Sequence, residues 1–181
     1  MTIRRTILVA AVALIVARAI EPAAAAEIRP ASFTLDDYAV TVARTSSSFQ
    51  TAFGLDFGGS LGRSYWWFGG GRLSWVQGES RGDVTNAGAV GGVLGLGFRP
   101  DRAISPIARL GYDRWLGNDD TFRSQTCLSA GARFRVSSRL DPHYAISVEA
   151  YRAELSRADG APDEDGFGIL IGYSVAFYRK R

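Results

Sequence analysis

Between residues 36 and 178 the sequence falls into runs, separated by turn segments, that alternate between large apolar side chains and small, polar or charged ones. The last such run, FGILIGYSVAFY, puts Phe167, Ile169, Ile171, Tyr173, Val175 and Phe177 on one face, and Gly168, Leu170, Gly172, Ser174 and Ala176 on the other. A period of two belongs to β-strands, whose successive side chains point to opposite faces. No stretch after residue 26 keeps the i, i+3, i+4, i+7 spacing of an amphipathic helix. The alternation predicts strands over 36–45, 48–58, 64–77, 86–98, 104–116, 123–137, 143–156 and 166–178. Between them SSS, GSLGR, RPDRA, GNDDT and SRLDP carry the Gly, Pro, Asn, Asp and Ser of turns.

The composition of the two faces decides what kind of sheet this is. Around the second strand, Phe49, Phe53, Leu55 and Phe57 oppose Gln50, Ala52, Gly54, Asp56 and Gly58. In the sixth, Leu128, Ala130, Ala132, Phe134 and Val136 oppose Gln125, Ser129, Gly131, Arg133 and Arg135. A sheet with its polar face in water would carry Lys, Glu and Thr throughout, yet the only lysine is Lys180. Small residues and isolated charges of both signs suit the interior of a narrow barrel instead. The simplest arrangement is inside-out, with apolar residues toward lipid and small or charged ones toward a lumen. Such strands must close on themselves, because an open edge in lipid leaves backbone groups unsatisfied.

The first 26 residues stand apart. MTIRR is a basic start, an apolar segment follows, and Ala24-Ala25-Ala26 fits an A-x-A cleavage site before Glu27. This is the pattern of a secretory signal peptide over 1–26, leaving 27–181 as one domain. The alternative, an uncleaved membrane anchor, is disfavoured by Arg18, which interrupts the apolar run. Without Arg4, Arg5, Arg18 and Glu21, the 21 basic and 18 acidic residues become 18 and 17, a net charge of +1. The basic isoelectric point is therefore no argument for nucleic-acid binding. In an exported chain, a single cysteine, Cys127, excludes an internal disulfide.

If the mature chain starts in the periplasm, its connections alternate between the two membrane sides. The inner turns GSLGR, RPDRA and SRLDP are short, while QGESRGDVTN and RADGAPDED on the outer side are the longest. Transmembrane barrels share this asymmetry. The outer connections carry eight acidic and two basic residues, and the inner turns with the C-terminal tail carry seven basic and two acidic. The acidic outer tips could attract divalent cations, though solvated loops explain them as well.

On the leader, the eight alternating segments and the aromatic-rich last strand, the chain resembles the small eight-stranded bacterial outer-membrane barrels, the OmpA membrane domain and OmpX-like proteins among them. The resemblance is one of pattern and covers residues 27–181. It implies a monomeric antiparallel up-and-down β-barrel in the bacterial outer membrane, without a cofactor. The expected partners are outer-membrane lipid and lipopolysaccharide, the barrel assembly machinery, and an unknown surface ligand. Many such barrels end on an aromatic residue, whereas here Phe177 and Tyr178 are followed by Arg179-Lys180-Arg181.

The candidate site is the lumen charge set Asp56, Arg72, Arg109, Asp113, Arg133, Arg135 and Glu149. Its charges either plug the barrel as a structural polar core or line a narrow porin-like channel. Tyr65, Trp67, Trp75, Tyr112, Tyr144, Tyr173 and Phe177 are expected at the membrane interfaces, where amphipathic rings prefer to sit. In the third strand, SYWWFGGGRLSWV, Trp66 and Phe68 point inward and close the periplasmic end, and Gly69 to Gly71 admit a bulge that would exchange the faces. His143, Ser147 and Glu149 share a strand face and invite a lipid-acylhydrolase reading. Yet His143 and Ser147 are four residues apart, ~13 Å along a strand, too far for a base to reach a nucleophile. The runs FGGGR and GGVLGLG lack the helix and the Lys-Ser/Thr pair of a phosphate loop. Arg81-Gly82-Asp83 is ordinary turn chemistry, although it matches an integrin-binding tripeptide. Cys127 is expected toward the lumen, and one His with one Cys makes no metal site. A soluble barrel binding an apolar ligand would need the opposite orientation of every strand.

Overall fold

Eight antiparallel strands follow one another: β1 (Ile28–Val42), β2 (Ser46–Leu61), β3 (Tyr65–Ser80), β4 (Asp83–Phe98), β5 (Ile104–Leu116), β6 (Phe122–Arg135), β7 (His143–Arg157) and β8 (Glu164–Ala176). The computed structural model describes residues 28–42, 46–61, 64–80, 83–99, 102–116, 122–136, 143–160 and 162–176; the segment 1–26, expected to be a signal peptide, and Phe177 lie outside them. Each strand pairs with its sequence neighbours, and β1 pairs with β8 from Ser32 to Val42, closing the barrel. This is the eight-stranded antiparallel barrel that the alternation predicts.

Which residues point which way follows directly from the pleat. On β2, Phe53, Leu55 and Phe57 face outward and are exposed, while Ala52, Gly54 and Asp56 between them are buried. Leu73, Leu94, Ile169 and Ile171 continue the outward band, each more than half exposed. An apolar belt running around the circumference far exceeds what a water-soluble surface leaves uncovered.

The stagger of the strands sets the bore. Stepping from Asp36 across Ala52, Ser74 and Ala89 reaches β5 at Trp115. Stepping the other way across Gly172, Ser147 and Arg133 reaches β5 at Ser105, ten residues lower. A stagger of this size tilts the strands and leaves an interior just wide enough for side chains to fill. It also brings the level of Asp36 midway between those two ends, opposite Arg109.

Three expectations are corrected. β1 begins at Ile28 rather than residue 36; Pro30 and a register shift between Arg29 and Ser32 interrupt the alternation there. The expected loop QGESRGDVTN is largely paired strand, from Gln77↔Asn86 to Ser80↔Asp83, with Arg81 and Gly82 outside the described residues. Beyond the apolar belt both faces meet polar surroundings, so pairing continues after the alternation has faded. No bulge interrupts β3 at its glycines: it pairs residue by residue with β2 and β4, so Arg72 stays inside and Leu73 outside.

Candidate functional site in the barrel lumen

The inner end is closed by aromatic rings. Trp66 stacks on Phe68 with centroids 4.7 Å apart. Directly opposite them on β4 stand Gly97 and Gly95, and any Cβ there would overlap the two rings. Glycine is required by this close approach. The guanidinium of Arg133 lies 5.1 Å from the Trp66 ring centre, and that of Arg109 lies 5.6 Å from Phe68.

Above the rings sits a network of buried charges. Arg109 Nη1 is 3.0 Å from Asp36 Oδ2, and its Nη2 is 2.8 Å from Glu149 Oε1. The same Nη2 donates to Ser147 Oγ at 2.9 Å. Arg72 bridges Asp36 at 3.3 Å and Asp113 at 3.8 Å. Ser129 Oγ donates to Glu149 Oε2 at 2.6 Å, and Gln125 Nε2 donates to both Asp113 Oδ2 and Gln50 Oε1, at 2.8 and 2.9 Å. These side chains are nearly sealed from solvent, Asp113 at 0% and Glu149 at 1% exposure. Taking an ion out of water costs several kcal/mol, offset only where geometry and extra hydrogen bonds are good. Here every carboxylate named is met by a guanidinium, and most by a neutral donor as well.

Toward the outer end the interior turns apolar. Ala52, Phe122, Cys127, Tyr151, Ala153, Leu155 and Leu170 pack into one cluster, with Trp115 against it. Trp115 meets Phe122 edge-on at 5.6 Å. The lumen is thus filled in three layers: rings, charges, then a small apolar core.

Of the predicted lumen set, Asp56, Arg72, Arg109, Asp113 and Glu149 are buried on the inward face, and Arg133 and Arg135 are half-buried near the inner end. Asp36, which links both central arginines, was missed because the predicted first strand only began there. Gln50, Gln125, Ser129 and Ser147 lie on the face that the alternation assigns to the lumen, but a neutral polar side chain there does not by itself mark a network. Tyr65, Trp67, Trp75, Tyr112 and Tyr173 face outward and are exposed; Tyr144 is half-buried, 6.1 Å from Tyr173. Ser147 and Glu149 are both engaged by Arg109, and the His143 side chain lies outside those described. Among the described residues no group of three or more His, Cys, Asp or Glu could hold a metal ion.

No known family profile matches this sequence, and no curated protein matches it. In three dimensions the chain is similar to the outer membrane enzyme PagL, with a TM-score of 0.50 at 12% identity, over 80% of this chain and 99% of that one. It also matches the N-terminal β-barrel domain of Pseudomonas aeruginosa OprF, with a TM-score of 0.41 at 13% identity, over 79% and 96% of the two chains. At such identity the likeness to PagL bears on architecture alone. The fold is that of an eight-stranded barrel of the outer-membrane type.

Proposed function

We propose that this chain is a monomeric barrel of the bacterial outer membrane, non-enzymatic, with a structural or surface-interaction role and a lumen plugged by its own side chains. The observation that carries this reading is the filled interior. Arg72 and Arg109 are paired to Asp36, Asp113 and Glu149 between an aromatic floor and an apolar cap. The apolar belt supports a lipid environment, and the likeness in fold to the outer membrane enzyme PagL supports that membrane in particular. Fold does not fix activity. Against an acylhydrolase, Ser147 and Glu149 are sealed in the lumen at 4% and 1% exposure, away from the apolar belt that a lipid ester would meet.

Purified protein in planar bilayers should show no steady conductance, and the unheated protein should migrate faster on a gel than the heated one. A steady open conductance would overturn the plug in favour of a narrow pore. A chain that stays folded and soluble without detergent would overturn the membrane reading altogether.

A further inference from the structure

Where the charge layer meets the apolar cap, three polar atoms of the lumen find no partner in the chain. Gln50 Nε2, Ser74 Oγ and Asp113 Oδ1 are buried without a hydrogen bond, on residues exposed by only 1%, 7% and 0%. A buried donor or acceptor left alone forfeits its hydration, so native interiors satisfy nearly all of them with protein or ordered water.

Three strands bring these atoms to one place. Gln125 Nε2 donates to Gln50 Oε1 at 2.9 Å and to Asp113 Oδ2 at 2.8 Å, so the amide and the carboxylate end beside one nitrogen. Ser74 is the inward residue diagonal to Gln50, since Ala52 pairs with Ser74 and Gln50 with Val76. Between Ser74 on β3 and Asp113 on β5, strand β4 contributes only Ala89 and Gly91 at this level. Asp113 Oδ1 leans over Gly91, where a Cβ would overlap it, and this turns the oxygen toward β3. Arg72, across Gly91 from Asp113, brings Nη1 only to 3.8 Å from Oδ2, beyond hydrogen-bond reach. Water mediates polar contacts held at such separations.

The chemistry of the set narrows its occupant. The Gln50 amide nitrogen and the Arg72 guanidinium donate, Asp113 accepts, and the Ser74 hydroxyl does both. A metal cation would be refused by the N–H groups, an anion by the carboxylate, and an apolar molecule by all of them. Water donates and accepts at once. A buried water makes about three hydrogen bonds, which this set supplies.

We propose that Gln50, Ser74 and Asp113 form a site for an internal water, which joins the amide to the carboxylate and hydrates the Arg72–Asp113 ion pair. The proposal rests on the plugged lumen above, since only a sealed interior holds a water in place.

Oxygen-17 magnetic relaxation dispersion of the folded protein in micelles counts its long-lived waters. Ala89→Val directs methyl groups into the space between Ser74 and Asp113. Its dispersion amplitude should fall by the contribution of a single water, whereas Gly71→Ala, on the outward face, should leave the amplitude unchanged. Equal amplitudes for wild type and a folded Ala89→Val would overturn the site. Should that variant not fold, a high-resolution crystal structure of the wild type decides. Density within hydrogen-bond distance of both Gln50 Nε2 and Asp113 Oδ1 is expected there. Direct bonds between these atoms, a dry site, or a metal ion with oxygen ligands alone would overturn the water. Conductance of the same preparations separates the two failures. A dry site in a barrel that does not conduct refutes the water alone, and a conducting lumen full of rapidly exchanging water refutes the plug with it.

Discussion

Replacing Arg109 by methionine tests the energetics of the plug most directly. Methionine keeps most of the side-chain length and flexibility while removing the charge. Asp36 would retain Arg72 at 3.3 Å, but Glu149 would keep only the Ser129 hydroxyl at 2.6 Å. Arg72 would then serve Asp36 and Asp113, and Glu149 would lose its guanidinium partner. Breaking a buried pair from one side costs about 3–5 kcal/mol, because the remaining charge stays desolvated. The double variant Arg109→Met with Glu149→Gln should recover part of this, since glutamine can still accept from Ser129 without needing a cation. A coupling of about 2 kcal/mol between the two sites is expected. Urea unfolding in a fixed micelle, followed by heat-modifiable migration, measures all members of the cycle. A cost below about 1 kcal/mol for Arg109→Met, with no coupling to Glu149, would refute the reasoning. That result would mean a lumen wet enough to screen its charges, and hence no plug.

Two further outcomes follow from the third strand. Gly70→Ala should cost roughly 1–3 kcal/mol, because its Cβ would overlap the Leu55 carbonyl group, whereas Gly71→Ala, with nothing within 4 Å, should change little; equal urea midpoints for the two would contradict the uninterrupted register of β3. Variants that retain only Trp67 or only Trp75 should each be quenched best by lipids brominated near the headgroup, on opposite leaflets, since eight residues of tilted strand span ~20 Å of depth; strongest quenching of both by mid-chain bromines would refute their interfacial placement.

How much of this was legible beforehand depended on where lipid imposes a pattern. Within the belt, lipid outside and a crowded lumen inside demand opposite chemistry at successive positions. Leu55 with Asp56, or Arg72 with Leu73, therefore declared their faces in the sequence. Past the belt that contrast weakens, and so the paired residues 77–80 and 83–86 read as a loop. Irregular pairing hid two further features. The shift near Pro30 concealed the start of β1, which left Asp36 at the edge of the predicted strand with no alternation before it to declare its face, and the shift at Phe122 concealed that Arg123 is exposed. The inward apolar core was obscured for another reason: Leu155, Leu170 and Val76 sit on a face that elsewhere carries glycine, serine and charge. Nothing in a single sequence reveals that such residues gather at one level, because that level is created by the stagger between strands.

The four lumen ion pairs described above each skip at least one strand. They run from β1 to β3, β1 to β5, β3 to β5 and β5 to β7, like spokes across a wheel. Every other strand pairing is a local hairpin, but the seam between β1 and β8 must be found across the length of the chain. A half-formed, uncurled sheet can satisfy its hairpins while leaving all four spokes unmade. The carboxylate that both central arginines share lies on β1, one of the two strands at that seam. Closure of the seam therefore brings Asp36 to both arginines at once, and a barrel whose seam stays open lacks two of its four lumen ion pairs.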